Sequence, residues 1–129
     1  MPVVEVDRFE RAELKARPDW LFVFGDNEQR RGLGGQAKAC RGEPNACGVA
    51  TKRAPSLAES AFWSDADFER CVLIIDADLA RAFEQVRRGG TVALPSGGLG
   101  TGLADLPARA PRVFAHLQGR LQALREAGA

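Results

Sequence analysis

A chain of 129 residues with 45% apolar content and a net charge of +1 has the length of one domain and enough apolar surface to bury a core unaided. No apolar run reaches the length of a membrane-spanning helix, and the near-neutral charge argues against a general nucleic-acid binder. Three cysteines without a C-x-x-C pair fit reduced buried thiols better than a disulfide framework or a zinc site, so neither a metal nor another cofactor is expected.

The opening MPVVEVDRFE is acidic where a secretory leader needs a basic start and an apolar run, so the expected location is cytoplasmic. Val3 to Val6 reads as a first strand. Asp7 is placed to cap a helix from about Arg8 to Ala16, whose apolar face is Phe9, Ala12, Leu14 and Ala16. Pro18 ends it. Trp20 to Phe24, WLFVF, is unbroken apolar sequence, the pattern of a central strand buried on both faces. Gly25-Asp26-Asn27 follows as a polar elbow tolerant of positive φ, at the strand end where open α/β sheets bind ligands. Gly32, Gly34 and Gly35 leave the backbone bare, so its N–H groups can approach an anion, and a helix from Gln36 to about Arg41 aims its positive end the same way.

That helix stops at Gly42. Ala46 to Ala50 is the next strand, ending in Thr51-Lys52-Arg53-Ala54-Pro55, polar residues that face the same crevice. In the following segment, Leu57 to Trp63, the pair Phe62 and Trp63 either covers the core or stacks on a flat ligand. Ser64 and Asp67 form a capping-box-like start, and Phe68, Cys71, Val72, Ile75, Leu79, Ala82, Phe83 and Val86 keep the spacing of one long helix. Arg87-Arg88 suits its carboxyl end and Gly89-Gly90 closes it. Thr91 to Leu94 is a strand leading into a second glycine loop, Pro95-Ser96-Gly97-Gly98-Leu99-Gly100-Thr101-Gly102. A last helix begins at or just before Pro111 and runs to about Glu126, burying Phe114, Leu117, Leu121 and Leu124.

Strands alternating with helices predict an α/β/α sandwich, three layers around a mixed central sheet of four or more strands, with residues 1–129 as a single domain. The two glycine loops then meet at one edge. A lone glycine loop is also the signature of a tight turn, but two after apolar strands point to a shared phosphate or nucleotide site. Gly34, Gly35, Gly100, Thr101 and Gly102 are the expected phosphate donors through backbone N–H groups. Gly25, Gly32, Gln36, Thr51, Ser96 and Gly98 complete the predicted lining, and Asn27 is set to bind a ribose hydroxyl. Arg30, Arg31, Lys38, Arg41, Lys52 and Arg53 read either as a solvated basic surface or as a positive collar for an anion. Asp26, Asn27 and Lys52 are the catalytic candidates for attack at an anomeric carbon, with Asp105 reaching in from the second loop. For both aspartates the plain alternative is capping of their own turns. The one histidine, His116, lies among apolar neighbours in a helix, where packing is the stronger reading.

At the two loops the chain resembles the macro domain, a small α/β/α module that binds ADP-ribose and related nucleotides and in some branches hydrolyses ADP-ribosyl linkages. Val23-Phe24-Gly25-Asp26-Asn27 with RGLGGQA is similar to the strand and glycine loop of V-N-A-A-N type. Leu94-Pro95 through Gly100-Thr101-Gly102-Leu103 to Pro107 is similar to its later P-A-x-S-T-G-I loop. The stretches FGDN, RRGLGGQA, GEPNA, TKRAP and GTGLADLP are closer still to small macro-like proteins of phages and bacteria whose function is unassigned. The likeness extends over nearly the whole chain. It implies a nucleotide such as ADP-ribose as the partner and no membrane, with nucleic acid the less favoured partner. The macro-domain aspartate that holds adenine has Asp7 as its counterpart here. A rival resemblance joins PSGGLGTGLAD to the P-G-G-x-G-T-x-x-E loop of nucleoside-monophosphate phosphoribohydrolases. Both families hold a phosphorylated ribose between glycine loops. The contrasting expectation is a non-catalytic module that senses a nucleotide or binds a protein or nucleic acid.

Overall fold

In the computed structural model, which describes residues 2–129, the apolar run of the central strand becomes β2 (Leu21–Asp26), hydrogen-bonded on one side to β3 (Ala46–Ala50) and on the other to β4 (Val92–Pro95). Strand β1 (Val3–Val6) pairs with the far side of β4, giving the order β1-β4-β2-β3. The pleat sends alternate side chains to opposite faces. Leu21 and Val23 pack with α3 (Phe68–Arg87) and α5 (Pro111–Ala127), whereas Phe22 and Phe24 pack with α1 (Arg11–Ala16) and α2 (Ala37–Cys40). A strand buried on both faces has no need of a polar alternation, which is why its sequence shows none.

All four strands are parallel, correcting the expectation of a mixed sheet. The cause lies in the connections: α1, α2 and α3 each separate one strand from the next. A chain that returns through a helix crosses over and enters the sheet in the same direction. The free edge of β3 is closed by side chains. Arg81 donates to the carbonyls of Pro44 and Ala46, Arg30 donates to that of Gly48 at 3.4 Å, and Asp78 accepts the Ala50 N–H at 2.9 Å. These contacts blunt an edge that would otherwise offer itself for pairing.

Local expectations fail where a distant partner wins. Helix α1 begins at Arg11, not Arg8, and Asp7 does not cap it. Asp7 instead accepts the Ser96 hydroxyl at 2.6 Å, because parallel pairing of β1 with β4 puts the ends of those strands side by side. The elbow at Gly25-Asp26 is not an elbow: pairing with β3 continues through Gly25 and Asp26, and the left-handed turn comes later, at Arg30 (φ 55°) and Gly32 (φ 96°). The Ser64–Asp67 box does not form, and a 3₁₀ turn, Asp65–Asp67, precedes α3. Asp65 accepts the N–H groups of Arg112 and Val113 at 3.0–3.1 Å and so caps α5 across the domain. A further short helix, α4 (Leu106–Arg109), stands between the second glycine loop and α5. Trp63 and Phe62 take the core-covering role: Trp63 is fully buried and Phe62 lies beneath the Arg109 guanidinium. Among the described residues no helix is long and apolar enough to cross a membrane.

Candidate functional site

From β2 the chain passes to α2 on one face of the sheet, and from its neighbour β4 it passes to α4 and α5 on the other. Loops that diverge from adjacent parallel strands leave a crevice between their carboxyl ends, the usual ligand position in such sheets. Here the crevice is a cavity of about 610 Å³, within the size range of small-molecule sites. It brings together Gly25, Asp26 and Asn27 from the end of β2, Thr51 and Lys52 from the end of β3, and both glycine loops. Of the residues predicted from sequence to line it, Gly32, Gly34, Gly35, Gln36, Gly98, Gly100, Thr101 and Gly102 also do so. Ser96 does not, its hydroxyl being turned to Asp7. Asp105 also lies outside, 3.4 Å from Arg109 Nε.

The loops hold one another in place. A Cβ on Gly34 would stand 2.8 Å from Leu103 Cδ1, and one on Gly32 would stand 2.8 Å from Pro55 Cβ. The first loop therefore lies close against both the second loop and the segment after β3, and at Gly32 the positive φ of 96° adds to the need for glycine. Gly100 has φ 78° and accepts the Leu106 N–H through its carbonyl at 2.8 Å, which fastens the second loop to α4. Thr101 Oγ1 donates to the Gly97 carbonyl and closes the loop upon itself. Among the described residues, the N–H groups of Gly34, Gly35, Gly100, Thr101 and Gly102 donate to no protein acceptor. Helix α2 has four residues, too few to add an appreciable dipole.

The polar side chains at the strand ends are occupied. Asp26 is buried, and both its oxygens are gripped by Arg41, at 2.9 and 2.7 Å, with Arg30 at 3.8 Å. It also accepts the Asn27 N–H at 2.8 Å, the local turn cap expected as its plain role. Gly48 makes room for it, since a Cβ there would meet Asp26 Oδ2 at 2.5 Å. Asn27 binds its own turn at both ends of its amide, donating to Arg31 O and accepting from Gln29 N. Thr51 Oγ1 donates to Asp26 O.

The basic collar divides in the same way. Arg41 belongs to Asp26, one terminal nitrogen of Arg30 donates to both oxygens of Asp78, and Arg53 pairs with Asp67. Lys38 does not line the cavity. The cavity's two remaining cations are Arg31 and Lys52, and among the described residues neither has a carboxylate in ion-pair reach. Arg31 Nε donates to Gln29. Lys52 is buried, donates to the Ser56 carbonyl at 2.7 Å and lies 4.3 Å from the centre of the Phe62 ring. Burial, with help from the nearby Arg109 charge, lowers its amine below the ordinary 10.5.

Sequence reasoning missed the rim. Leu33, Leu57 and Leu103, from three different loops, line the cavity and are strongly exposed. Leucines in turn-rich sequence were the available signal. The groups outside the cavity offer no reactive alternative. Burial pushes the thiol of Cys40 up to about 12 and those of Cys47 and Cys71 to about 11. His116 sits on α5 with Nε2 2.7 Å from Asp76 Oδ1. Among the described residues no three His, Cys, Asp or Glu side chains are grouped to hold a metal. No curated protein matches the sequence, and no solved structure matches it. A family profile does match, over residues 4–120, and the chain therefore belongs to the family of unknown function DUF7831.

Proposed function

We propose that the cavity binds ADP-ribose or a related ribose-phosphate nucleotide. One observation carries this reading: both glycine loops, with undonated backbone N–H groups, line a single cavity whose only uncommitted cations are Arg31 and Lys52. Backbone N–H groups left without protein acceptors around one cavity suit phosphate oxygens, and a pair of cations suits a diphosphate. The macro-domain resemblance supplies the ligand class, although the wholly parallel sheet departs from what that resemblance implied. In this reading Gly34, Gly35, Gly100, Thr101 and Gly102 hold phosphate, and Asp7, at the end of β1 and on the cavity wall, faces the base.

Binding without turnover is the better-supported form. Hydrolysis at an anomeric carbon needs a carboxylate or amide free to position water, and Asp26 and Asn27 are engaged by Arg41 and by their own turn. A small anion is likewise favoured over a nucleic-acid strand, because half of the basic collar, Arg30, Arg41 and Arg53, is neutralised internally.

Calorimetry with ADP-ribose, NAD and ribose 5-phosphate tests the proposal. Saturable heat with at least one of them is expected, together with unchanged ligand on chromatography after prolonged incubation. No heat from any of the three at millimolar concentration would remove the reading, and release of free ribose phosphate or base would restore a catalytic role.

A further inference from the structure

The sequence contains only three lysines, Lys15, Lys38 and Lys52. Lys15 pairs with Glu43 at the surface, with its side chain 64% exposed, and Lys38 is exposed on α2. Lys52 alone is buried, with 7% of its surface accessible, and it alone lines the cavity. Burial, and after it the Arg109 charge, work against its charged form. The Ser56 carbonyl accepts one N–H, and Phe62 covers it at 4.3 Å. Arg109 shares that ring, with its guanidinium carbon 3.6 Å from the same centre, and among the described residues no carboxylate pairs with Lys52. A desolvated lysine beside another cation is the usual setting for an amine that attacks carbonyl carbon.

We infer that Lys52 forms a reversible imine with the open-chain aldehyde of a phosphorylated aldose whose phosphate is held by the glycine loops. The phosphate half rests on the proposed ligand class. The amine half rests on Lys52 itself. In the reaction the Nζ lone pair adds to the aldehyde carbon, and the carbonyl oxygen takes up the proton that nitrogen sheds. Loss of water then leaves a carbon–nitrogen double bond. One amine and one aldehyde give one imine and one water, and no oxidant or reductant takes part. A reducing sugar phosphate, with its aldehyde at one end and its anion at the other, is the class of ligand that satisfies both halves.

The test incubates the intact protein with ribose 5-phosphate and cyanoborohydride, which delivers hydride to the imine and fixes it as a secondary amine. Peptide mass spectrometry then locates the adduct, with Lys15 and Lys38 as internal controls. Lys52 is expected to be modified at about ten times the rate of either, the gain that about 1.4 kcal/mol of binding in the cavity provides. Unphosphorylated ribose should show a smaller preference, and the Lys52→Arg variant should lose the excess. Equal modification of the three lysines by ribose 5-phosphate would overturn the inference, as would excess labelling that survives in Lys52→Arg. Equal preference for Lys52 with ribose and ribose 5-phosphate would support the reactive amine and sink the phosphate cradle instead. Because the wild-type peptide map decides the main point, poor folding of the variant leaves the result intact. Calorimetry with ADP, which has no aldehyde, reports on the cradle separately.

Discussion

The second glycine loop depends on Gly100, and replacing it by alanine exposes how. Gly100 has φ 78°, and a Cβ there would lie 2.9 Å from Leu106 Cδ2, 3.1 Å from Leu106 Cβ and 3.5 Å from Thr51 Cγ2. Leu106 is fully buried and is tied to Gly100 by its own N–H, so it has nowhere to retreat. The left-handed backbone costs an alanine about 1–2 kcal/mol, and forcing a methyl into a filled core costs about 1–3 kcal/mol more. Together Gly100→Ala should lose about 2–5 kcal/mol, a large share of a small domain's stability. Gly102→Ala is the control, because Gly102 has open space around its Cβ position and no positive φ. It should change stability by less than about 0.5 kcal/mol. Urea titration followed by tryptophan fluorescence measures both. Equal midpoints for the two variants would refute the packing argument. Should Gly100→Ala be destabilised and still bind ADP-ribose as the parent does, the loop's shape would not be what holds the ligand.

Three further outcomes follow from contacts at and around the cavity. Asp26→Ala leaves Arg41 without its carboxylate next to a buried strand end, and should lower stability by about 3–5 kcal/mol in urea titration, against less than about 1 kcal/mol for Asp105→Ala at its exposed pair. Burial of Glu28 works to raise its pKa, but hydrogen bonds from Arg70 and Trp63, both at 2.7 Å, outweigh this and hold the carboxyl below the ordinary 4.5. A depressed folded-state pKa contributes stability above the unfolded value and loses it as pH falls through the folded one. The gap in melting temperature between the parent and Glu28→Gln should therefore be full above the ordinary carboxylate pKa, from about pH 5 upward, and narrow progressively as pH falls below it, and a gap that stayed constant into the acid range would remove the ion pair as its source. Asp65→Ala should cost about 1 kcal/mol by removing the cap of α5, whereas Ser64→Ala, which caps nothing, should leave the thermal midpoint where it was.

What the sequence made legible was whatever depends on neighbours along the chain. The strands at Val3, Trp20, Ala46 and Thr91 were found to within one or two residues because short apolar runs between turn residues have few other uses. Helix α3 was read as one piece because Cys71, Ile75, Leu79, Ala82 and Val86 share a face and are all buried. The union of the two glycine loops was also foreseen, since both follow strands whose carboxyl ends share a side of the sheet. Contacts bridging many residues were not legible. Asp65 caps a helix 47 residues away, Asp7 meets Ser96 at a separation of 89, and Arg30 meets Asp78 at a separation of 48. Asp7 had an adjacent capping role that looked sufficient, Arg30 read as part of a basic collar, and Asp65 carried no local signal. Parallel direction throughout had the same origin. The helices between strands implied it, but the position of β4 between β1 and β2 has no local signature.

The pleat explains why the carboxylate at the strand end is held in an ion pair. Asp26 follows Phe22 and Phe24 at intervals of two, so its side chain is directed to the face covered by α2, where Arg41 stands just past the helix end. Gly48 carries no side chain at that spot, and the space goes to the carboxylate. The ion pair then ties the end of β2 to the far end of the first glycine loop, with Arg41 Nε also donating to Gly32 O at 3.2 Å. Asn27, one residue on, fixes the near end of the same loop. With both ends pinned by side chains, the loop keeps its place on the cavity wall without help from its own short helix, and among the described residues its Gly34 and Gly35 N–H groups have no protein acceptor. A wall built this way offers a ligand directed N–H donors and little free acid or base. That balance is what the proposed phosphate site requires, and the inferred imine would draw on the one lysine that lines the cavity, Lys52.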